Sequence, residues 1–456
     1  MVHVCPAVRS HSRWLPLPVV LVPVFVTTLD FFIANVAIPS IRADLGAGPA
    51  ATQLVIAGYG LAYAAGLIIS GRIGDLYGPR RVFMIGLALF TLASLGCGTA
   101  PSTAALIAAR VAQGLAAALL APQVLTLLGA LYPGADRARA FGWYGTATGL
   151  AGVSGQVVGG LLVAADLGGL GWRLVFLINL PIGLLALALT RPLVPDLRAE
   201  PDAGAVPGRV DLLSAVLVAG GLVSAVLPLA LGAELGWPLW SLLLLLLPAP
   251  LLAGFAARQR TLPQPLLDLR VFSERGFTGG LLAVALLFGG SAGLSFVLAL
   301  YLQEGLGLAP LSAGLVFTSL NAGFLLASLR RGRPVAGAAA VAAGLGVIHV
   351  AVAAASPYLV AGGLFVTGAG MGALMSPLIS AVLAGVRKER SGAAAGVLGT
   401  VQEAGGVLGG TVTGAVFLSA ADGGWGAATH AGLLLLVGFA LVVLAVVRRR
   451  GTAWLP

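Results

Sequence analysis

Charge in this sequence is confined to short clusters, and between the clusters the chain runs apolar for about twenty residues at a time. A helix crossing roughly 30 Å of hydrocarbon needs a run of about that length. No water-soluble domain covers so much apolar surface with so few charged groups. Only 9% of the 456 residues are charged, against 59% that are hydrophobic. The fold class expected is an all-α integral membrane protein, which excludes soluble enzymes, single-pass anchors and nucleic-acid-binding modules.

The runs fall near residues 16–39, 50–70, 82–100, 104–129, 141–164, 172–190, 211–231, 238–257, 276–301, 310–329, 335–355, 357–385, 392–419 and 429–447, which makes fourteen spans. The first follows Arg9 and Arg13 like a leader peptide, but it is long, carries Asp30 and precedes thirteen more, so it is expected to be retained. Two longer polar stretches, 191–211 and 258–275, bracket the seventh and eighth spans. The organisation expected is therefore an N-terminal six-helix bundle (1–190), a linker with two extra spans (191–275) and a C-terminal six-helix bundle (276–456), with the extra spans at the periphery.

Orientation follows from the basic residues, which gather on the cytoplasmic side of a membrane protein. With the N-terminus inside, the outer segments hold only Arg42 and Arg173, and Arg110 lies within a span; the other 23 of the 26 basic residues are inside. Both termini are expected in the cytoplasm, and the net charge of +10 reflects this asymmetry rather than an affinity for nucleic acid. Arg, Ala and Gly richness fits a GC-rich bacterial genome, so the compartment expected is a bacterial inner membrane. Cys5 and Cys97 fall on opposite sides and are not expected to pair.

Spans five and thirteen share a glycine stripe. Gly145, Gly149, Gly152, Gln156, Gly159 and the adjoining Gly160 recur at helical spacing on one side of the fifth span; Gly392, Gly396, Gly399, Glu403, Gly406 and Gly410 repeat the pattern in the thirteenth. Small residues let membrane helices pack backbone to backbone, and matching stripes in two six-span halves point to an internally duplicated transporter with its substrate site between the halves. Spans four and twelve match more loosely on Pro122 and Pro377. That alignment sets Phe365 opposite Arg110, so the charge belongs to the first half alone.

Three ionisable residues lie at membrane depth: Asp30, Arg110 and Glu403. A charge there costs at least about 2.5–3.5 kcal/mol on insertion scales and persists when paired, hydrated or neutralised. Arg110, Gln113, Gly114 and Ala117 share a helix face and are expected to line a polar interior. A carboxyl facing a guanidinium there can hold or release a proton as helices move, and Asp30, Arg110 and Glu403 are the proton-coupling candidates. A static ion pair is the alternative for Asp30 and Arg110, and a packing role the alternative for Glu403. His349 and His430 have no metal-ligand partner at helical spacing and are expected to be neutral and satisfied. No nucleophile triad, zinc spacing or phosphate loop occurs, so neither enzyme activity nor a metal or cofactor is expected.

The loop between spans two and three reads Gly71-Arg-Ile-Gly-Asp75-Leu-Tyr-Gly78-Pro-Arg80-Arg81 and resembles the signature cytoplasmic loop of the major facilitator superfamily. Arg110 to Gly114 resembles that superfamily's second motif, and Gly149 to Gly160 is similar to its antiporter motif. Leu29 to Pro39 and Trp172 to Gly183 resemble the fourteen-span drug:H+ antiporter family. The resemblance implies that Asp30 and Arg110 serve proton coupling, that Gly71, Asp75, Gly78, Arg80 and Arg81 form a cytoplasmic gate, and that the stripe of span five favours export. Gln156 stands where the antiporter motif has proline, which removes a kink. The second-half counterpart of the gate loop, Arg330 to Pro334, has no Asp. Asn35, Gln113 and Asn179 are the weaker candidates for a substrate cavity.

The function expected is proton-coupled efflux of small amphipathic compounds by a monomer, its partners being substrate, protons and the lipid bilayer. A proton-linked carrier for one metabolite or a self-made antibiotic is the alternative. A non-transporting sensor is disfavoured, because the longest polar segment, 191–211, is too short for a sensory domain.

Overall fold

A computed structural model describes residues 14–196, 211–232, 235–262, 265, 269–274, 276–328, 333–384, 386 and 391–450. Among them there is no strand, and the chain traverses the molecule fourteen times. The helices are α1 (Pro16–Leu45), α2 (Pro49–Tyr77), α3 (Pro79–Gly98), α4 (Thr103–Leu131), α5 (Ala135–Ala165), α6 (Gly171–Leu193), α7 (Leu212–Leu231), α8 (Leu239–Thr261), α9 (Phe277–Gly305), α10 (Pro310–Ser328), α11 (Pro334–Ala353), α12 (Pro357–Ala384), α13 (Ser391–Ser419) and α14 (Trp425–Arg450). All but α13 are long and apolar enough to cross a membrane. α13 has the length, at 29 residues, but its glycines, threonines and Gln402-Glu403 dilute its apolar character.

The helix ends follow local chemistry. Proline opens α1, α2, α3 and α11, where its missing N–H costs nothing. Ser102 caps α4 by accepting from the Ala105 N–H at 3.3 Å, and Asp211 caps α7 through Ser214 N–H at 3.3 Å. The α2–α3 connection turns at Gly78, whose φ of +87° only glycine adopts freely. α9 ends in a π-helical turn, Tyr301–Gly305, a distortion that often marks a functional position.

The face where α1 begins and α14 ends is called basal here and the opposite face distal. One apolar core fills α1 to α6 around Phe83, Leu87, Phe90, Leu120, Val124 and Leu127. Two more fill α9 to α14, around Leu374 and Leu378 and around Phe317, Ile348 and Leu364. The extra spans differ from the peripheral placement expected of both. α7 buries Val218, Leu222 and Val226 against Ala57 and Ala64 of α2 and Ala404 and Val407 of α13, and so lies in the seam between the two groups of helices. α8 stays outside, tied to α7 by Gln259 Nε2 donating to Ser214 Oγ at 2.7 Å and by the Arg258–Asp211 ion pair at 2.9 Å.

Candidate functional site

α1, α2, α3, α4 and α6 meet at a polar knot inside the first group of helices. Asp30 and Arg110 are both 0% exposed and form an ion pair from Nη1 to Oδ2. The other carboxylate oxygen accepts from Gln113 Nε2 at 2.8 Å and Asn179 Nδ2 at 3.0 Å. Gln113 Nε2 also donates to Ser94 Oγ at 2.8 Å, and Asn179 Nδ2 reaches the same oxygen at 3.3 Å. Arg110 Nε donates to Val55 O at 3.1 Å, Nη1 also donates to Gln113 Oε1 at 2.7 Å, and the guanidinium lies 4.3 Å from the Tyr59 ring centre. Every partner of Asp30 is a donor, and a proton arriving at the carboxylate removes the charge that holds Arg110 to it. Among the described residues Arg110 Nη2 and Asn179 Oδ1 are buried without partners, and a buried polar atom left so costs about 1–3 kcal/mol. The knot thus holds a spare donor and a spare acceptor.

Three of the sequence candidates (Arg110, Gln113 and Asn179) therefore share one constellation with Asp30. Asn35 does not join it: its amide donates to Phe31 O at 2.8 Å, and the residue lines a small cavity with Gln53, Phe296, Gly406, Gly410 and Thr411, between the two groups of helices. Glu403 lies apart on α13. It stands within electrostatic range of Tyr59 and Tyr63 of α2 and Tyr144 of α5, and among the described residues it has no hydrogen-bond partner. The Tyr59 and Tyr63 rings are stacked, 6.2 Å between centres, so aromatic surface extends from Arg110 toward Glu403.

The seam between the groups is closed in its distal part. Arg42 pairs with Glu304 at 2.9 Å, Gln303 donates to Val36 O at 3.1 Å, and Gln53 donates to Thr411 O at 2.7 Å. Ile38 packs with Phe296, Val297, Leu300 and Phe417 beneath them. The glycine stripe of α5 belongs to this closure in part. A Cβ on Gly160 would lie 2.6 Å from Pro310 O and Gly152 O accepts from Asn321 Nδ2 at 3.1 Å, both across the seam, while a Cβ on Gly159 would lie 2.8 Å from Ile33 of α1 in its own group. Gln156 is buried beside Gly314 of α10. Toward the basal face the contact ends: Cβ atoms on Gly149, Gly145 and, in α13, Gly399 would meet nothing within 4 Å. α5 therefore meets α10 from Gly160 down to Gly152, and its glycines below that point have open space beside them.

The basal loop motif is placed less fully. Gly71 has open space around it, Gly78 makes the turn, Arg80 is half-buried and Arg81 exposed. The Asp75 side chain lies outside the described residues, as do Arg330, Arg331, Cys5 and the stripe neighbourhood of Gly392 and Gly396. Gly74, which the motif contains but the sequence reading passed over, packs against Gln123, whose amide donates to Ser70 O at 3.0 Å.

Sequence reasoning also missed Ser94, Tyr59, Asp44, Gln53 and the Arg42–Glu304 pair. Arg42 and Arg173 had been marked as the two outer cations, and each finds a carboxylate: Arg173 pairs with Asp44 at 2.6 Å, and Trp172 Nε1 donates to the same oxygen at 3.0 Å. Opposite charges beside span ends were the available signal, but they did not say which ends meet.

The sequence profile of the Major Facilitator Superfamily matches residues 20–410. A probable actinorhodin transporter of Streptomyces coelicolor is 37% identical over 423 residues, which cover 89% of this chain and 72% of the relative. A puromycin resistance protein of Streptomyces alboniger is 36% identical, over 87% of this chain and 80% of its own. Among solved structures, the peptide transporter POT in complex with sulfate superposes with a TM-score of 0.68 at 17% identity, covering 96% of this chain and 95% of that one, a likeness of fold alone.

Proposed function

This chain belongs to the Major Facilitator Superfamily, and from that premise we propose that it exports small amphipathic organic compounds, antibiotics among them, in exchange for protons moving inward. It is a transporter rather than an enzyme. The resistance and transport proteins it resembles support the export reading. In this proposal it sits as a monomer in a bacterial cytoplasmic membrane with both termini inside, so the basal face is cytoplasmic and the distal face external. The bundles of residues 1–190 and 276–456 then rock about the seam. The distal closure described, with open space beside Gly145, Gly149 and Gly399 toward the basal face, fits the inward-facing limb of that cycle.

The observation that carries the proton reading is the Asp30–Arg110 pair, a fully buried carboxylate held entirely by donors in one of two moving bodies. When substrate loads from the basal side and the bundles tilt, a proton reaching Asp30 frees Arg110. The spare acceptor on Asn179 and the spare donor on Arg110 allow the knot to re-pair rather than simply break. Glu403, without a hydrogen-bond partner among the described residues and within electrostatic range of Tyr59, Tyr63 and Tyr144, supplies the charge that recognises a cationic substrate, and the rings supply aromatic contact. Gly71, Asp75, Gly78, Arg80 and Arg81 close the basal gate in the opposite limb.

The test is efflux from vesicles under an imposed pH gradient, with cationic and neutral aromatic compounds assayed side by side. Wild type exports both uphill. Glu403→Gln impairs the cations and spares the neutral compounds; equal loss of both classes removes Glu403 from recognition. A second reading, a carrier dedicated to one self-made antibiotic, is favoured by the single compounds named for the relatives, actinorhodin and puromycin. It predicts that one compound outcompetes all others in the same assay.

A further inference from the structure

His349 and His430 have no partner on their own helices, and neither joins the knot around Asp30. The fold brings them together: their Nδ1 atoms lie 3.2 Å apart, with ring centres at 4.3 Å and planes inclined by 60°. His349 comes four residues before the end of α11 at Ala353 and His430 five after the start of α14 at Trp425. At 1.5 Å per residue both sit roughly 6–8 Å below the distal helix ends. Both rings are partly exposed, beside outward-facing Val350 and Leu434. Among the described residues neither imidazole has a further hydrogen bond, and no third His, Cys, Asp or Glu joins them.

We propose that the pair is a binding site for a borderline divalent metal ion, with Zn2+ as the reference. Two imidazole nitrogens bound at about 2.0–2.1 Å and spread at a tetrahedral angle stand about 3.3 Å apart. The Nδ1 atoms already occupy adjacent corners of such a shell. Without metal, one Nδ1–H donates to the other Nδ1. Binding asks that the donor ring carry its proton on Nε2 instead and that the rings swing apart from their 4.3 Å separation to the about 5 Å that two imidazoles on one tetrahedral ion require, which leaves two neutral rings, both Nδ1 lone pairs on the metal and no net proton released. Water from the distal face completes the shell. Imidazole ligands select Zn2+, Cu2+ and Ni2+ over Mg2+ and Ca2+. With two protein ligands the site is exchangeable, unlike a closed four-ligand structural site. α11 and α14 pack in the same group of helices, away from the cavity that Asn35 and Gln53 line, so the metal steadies one moving body without bridging the seam.

The experiment titrates purified protein with ZnCl2 and reads thermal stability and bound metal, for wild type, His349→Asn and His430→Asn. His3, Cys5 and His11 also carry metal-ligating side chains, so the difference between wild type and variants is the measure. Saturable stabilisation in wild type that is lost in each single variant, with MgCl2 inactive on all three, is the expected result. Stabilisation equal in wild type and variants overturns the site, and so does its absence from wild type. If a variant fails to fold, Co2+ bound to a chain carrying His3→Asn, Cys5→Ser and His11→Asn decides: a visible band of tetrahedral intensity that one equivalent of Zn2+ abolishes supports the pair, and its absence overturns it. Proton-driven export that continues with Zn2+ bound places the site off the transport path; arrest by Zn2+ that His349→Asn and His430→Asn each relieve contradicts binding within one body.

Discussion

Replacing Asp30 by asparagine tests the proton site most directly, because the side chain keeps its shape and loses only its charge and an acceptor. In the folded protein Asp30 faces three donors: Arg110 Nη1, Gln113 Nε2 and Asn179 Nδ2. An asparagine oxygen can keep the two amides, but its own NH2 then points at the guanidinium, and Arg110, 0% exposed, becomes a buried cation without a counter-charge. Removing one partner of a buried pair costs about 3–5 kcal/mol. The low end is expected here, since Val55 O, Gln113 Oε1 and the Tyr59 face still hold Arg110. Reconstituted Asp30→Asn is therefore expected to melt earlier and to lose uphill export under a pH gradient while retaining substrate exchange, which needs no net proton movement. Adding Arg110→Met removes the stranded cation and recovers most of the stability, but none of the coupling. Uphill transport undiminished in Asp30→Asn would take the carboxylate out of the mechanism. Equal loss of exchange and uphill transport would make the pair a packing element.

Three further outcomes follow from the same geometry. Gly160→Ala drives a Cβ to 2.6 Å from Pro310 O and is expected to cost about 1–3 kcal/mol by overpacking and to slow transport, whereas Gly145→Ala, with nothing within 4 Å, is silent; identical effects of the two on transport rate would refute the split stripe. Glu304→Gln breaks the ion pair with Arg42, whose partners are about a quarter exposed (23% and 27%), so the loss is at most about 1 kcal/mol. That suffices to raise the distally open population several-fold, read as faster labelling of a cysteine placed at Ile38, and unchanged labelling would remove the pair from gating. The third concerns pH: the hydrogen bonds from Arg258 hold the Asp211 carboxyl down at about 2, against about 3.9 when unfolded. Its clasp between α7 and α8 then contributes fully above pH 4 and fades only as pH falls through 2. The melting difference between wild type and Asp211→Asn is accordingly expected to be constant from pH 5 to 8, and a difference that changes within that window would contradict the assignment.

How far the sequence reaches is clearest at particular residues. Asp30, Arg110 and Gln113 stood out because a charge or amide inside an apolar run is costly anywhere in hydrocarbon, whatever surrounds it. Ser94 and Tyr59 did not, since a serine or tyrosine in a membrane helix carries no such cost and gains meaning only from what it faces. The glycine stripe of α5 was legible as a face, but not as a face that grips α10 at one end and stands free at the other. α7 and α8 looked alike in the sequence, yet one fills the seam and one hangs outside it, because small residues of α2 and α13 (Ala57, Ala64, Ala404) leave room for a helix only there.

The sequence by itself determined how many times this chain crosses the bilayer and where its costly charges sit, and its basic residues pointed to which ends face inward. Those properties are local: hydrocarbon thickness sets the length of each span, and an unpaired backbone or charge is penalised segment by segment. The tertiary structure alone decided that five helices converge on one carboxylate, that Arg42 finds Glu304 across the seam and that two histidines 81 residues apart meet at Nδ1. Such meetings depend on the rotation and register of packed helices, which close backbone contacts and side-chain fit select and no single run of residues encodes.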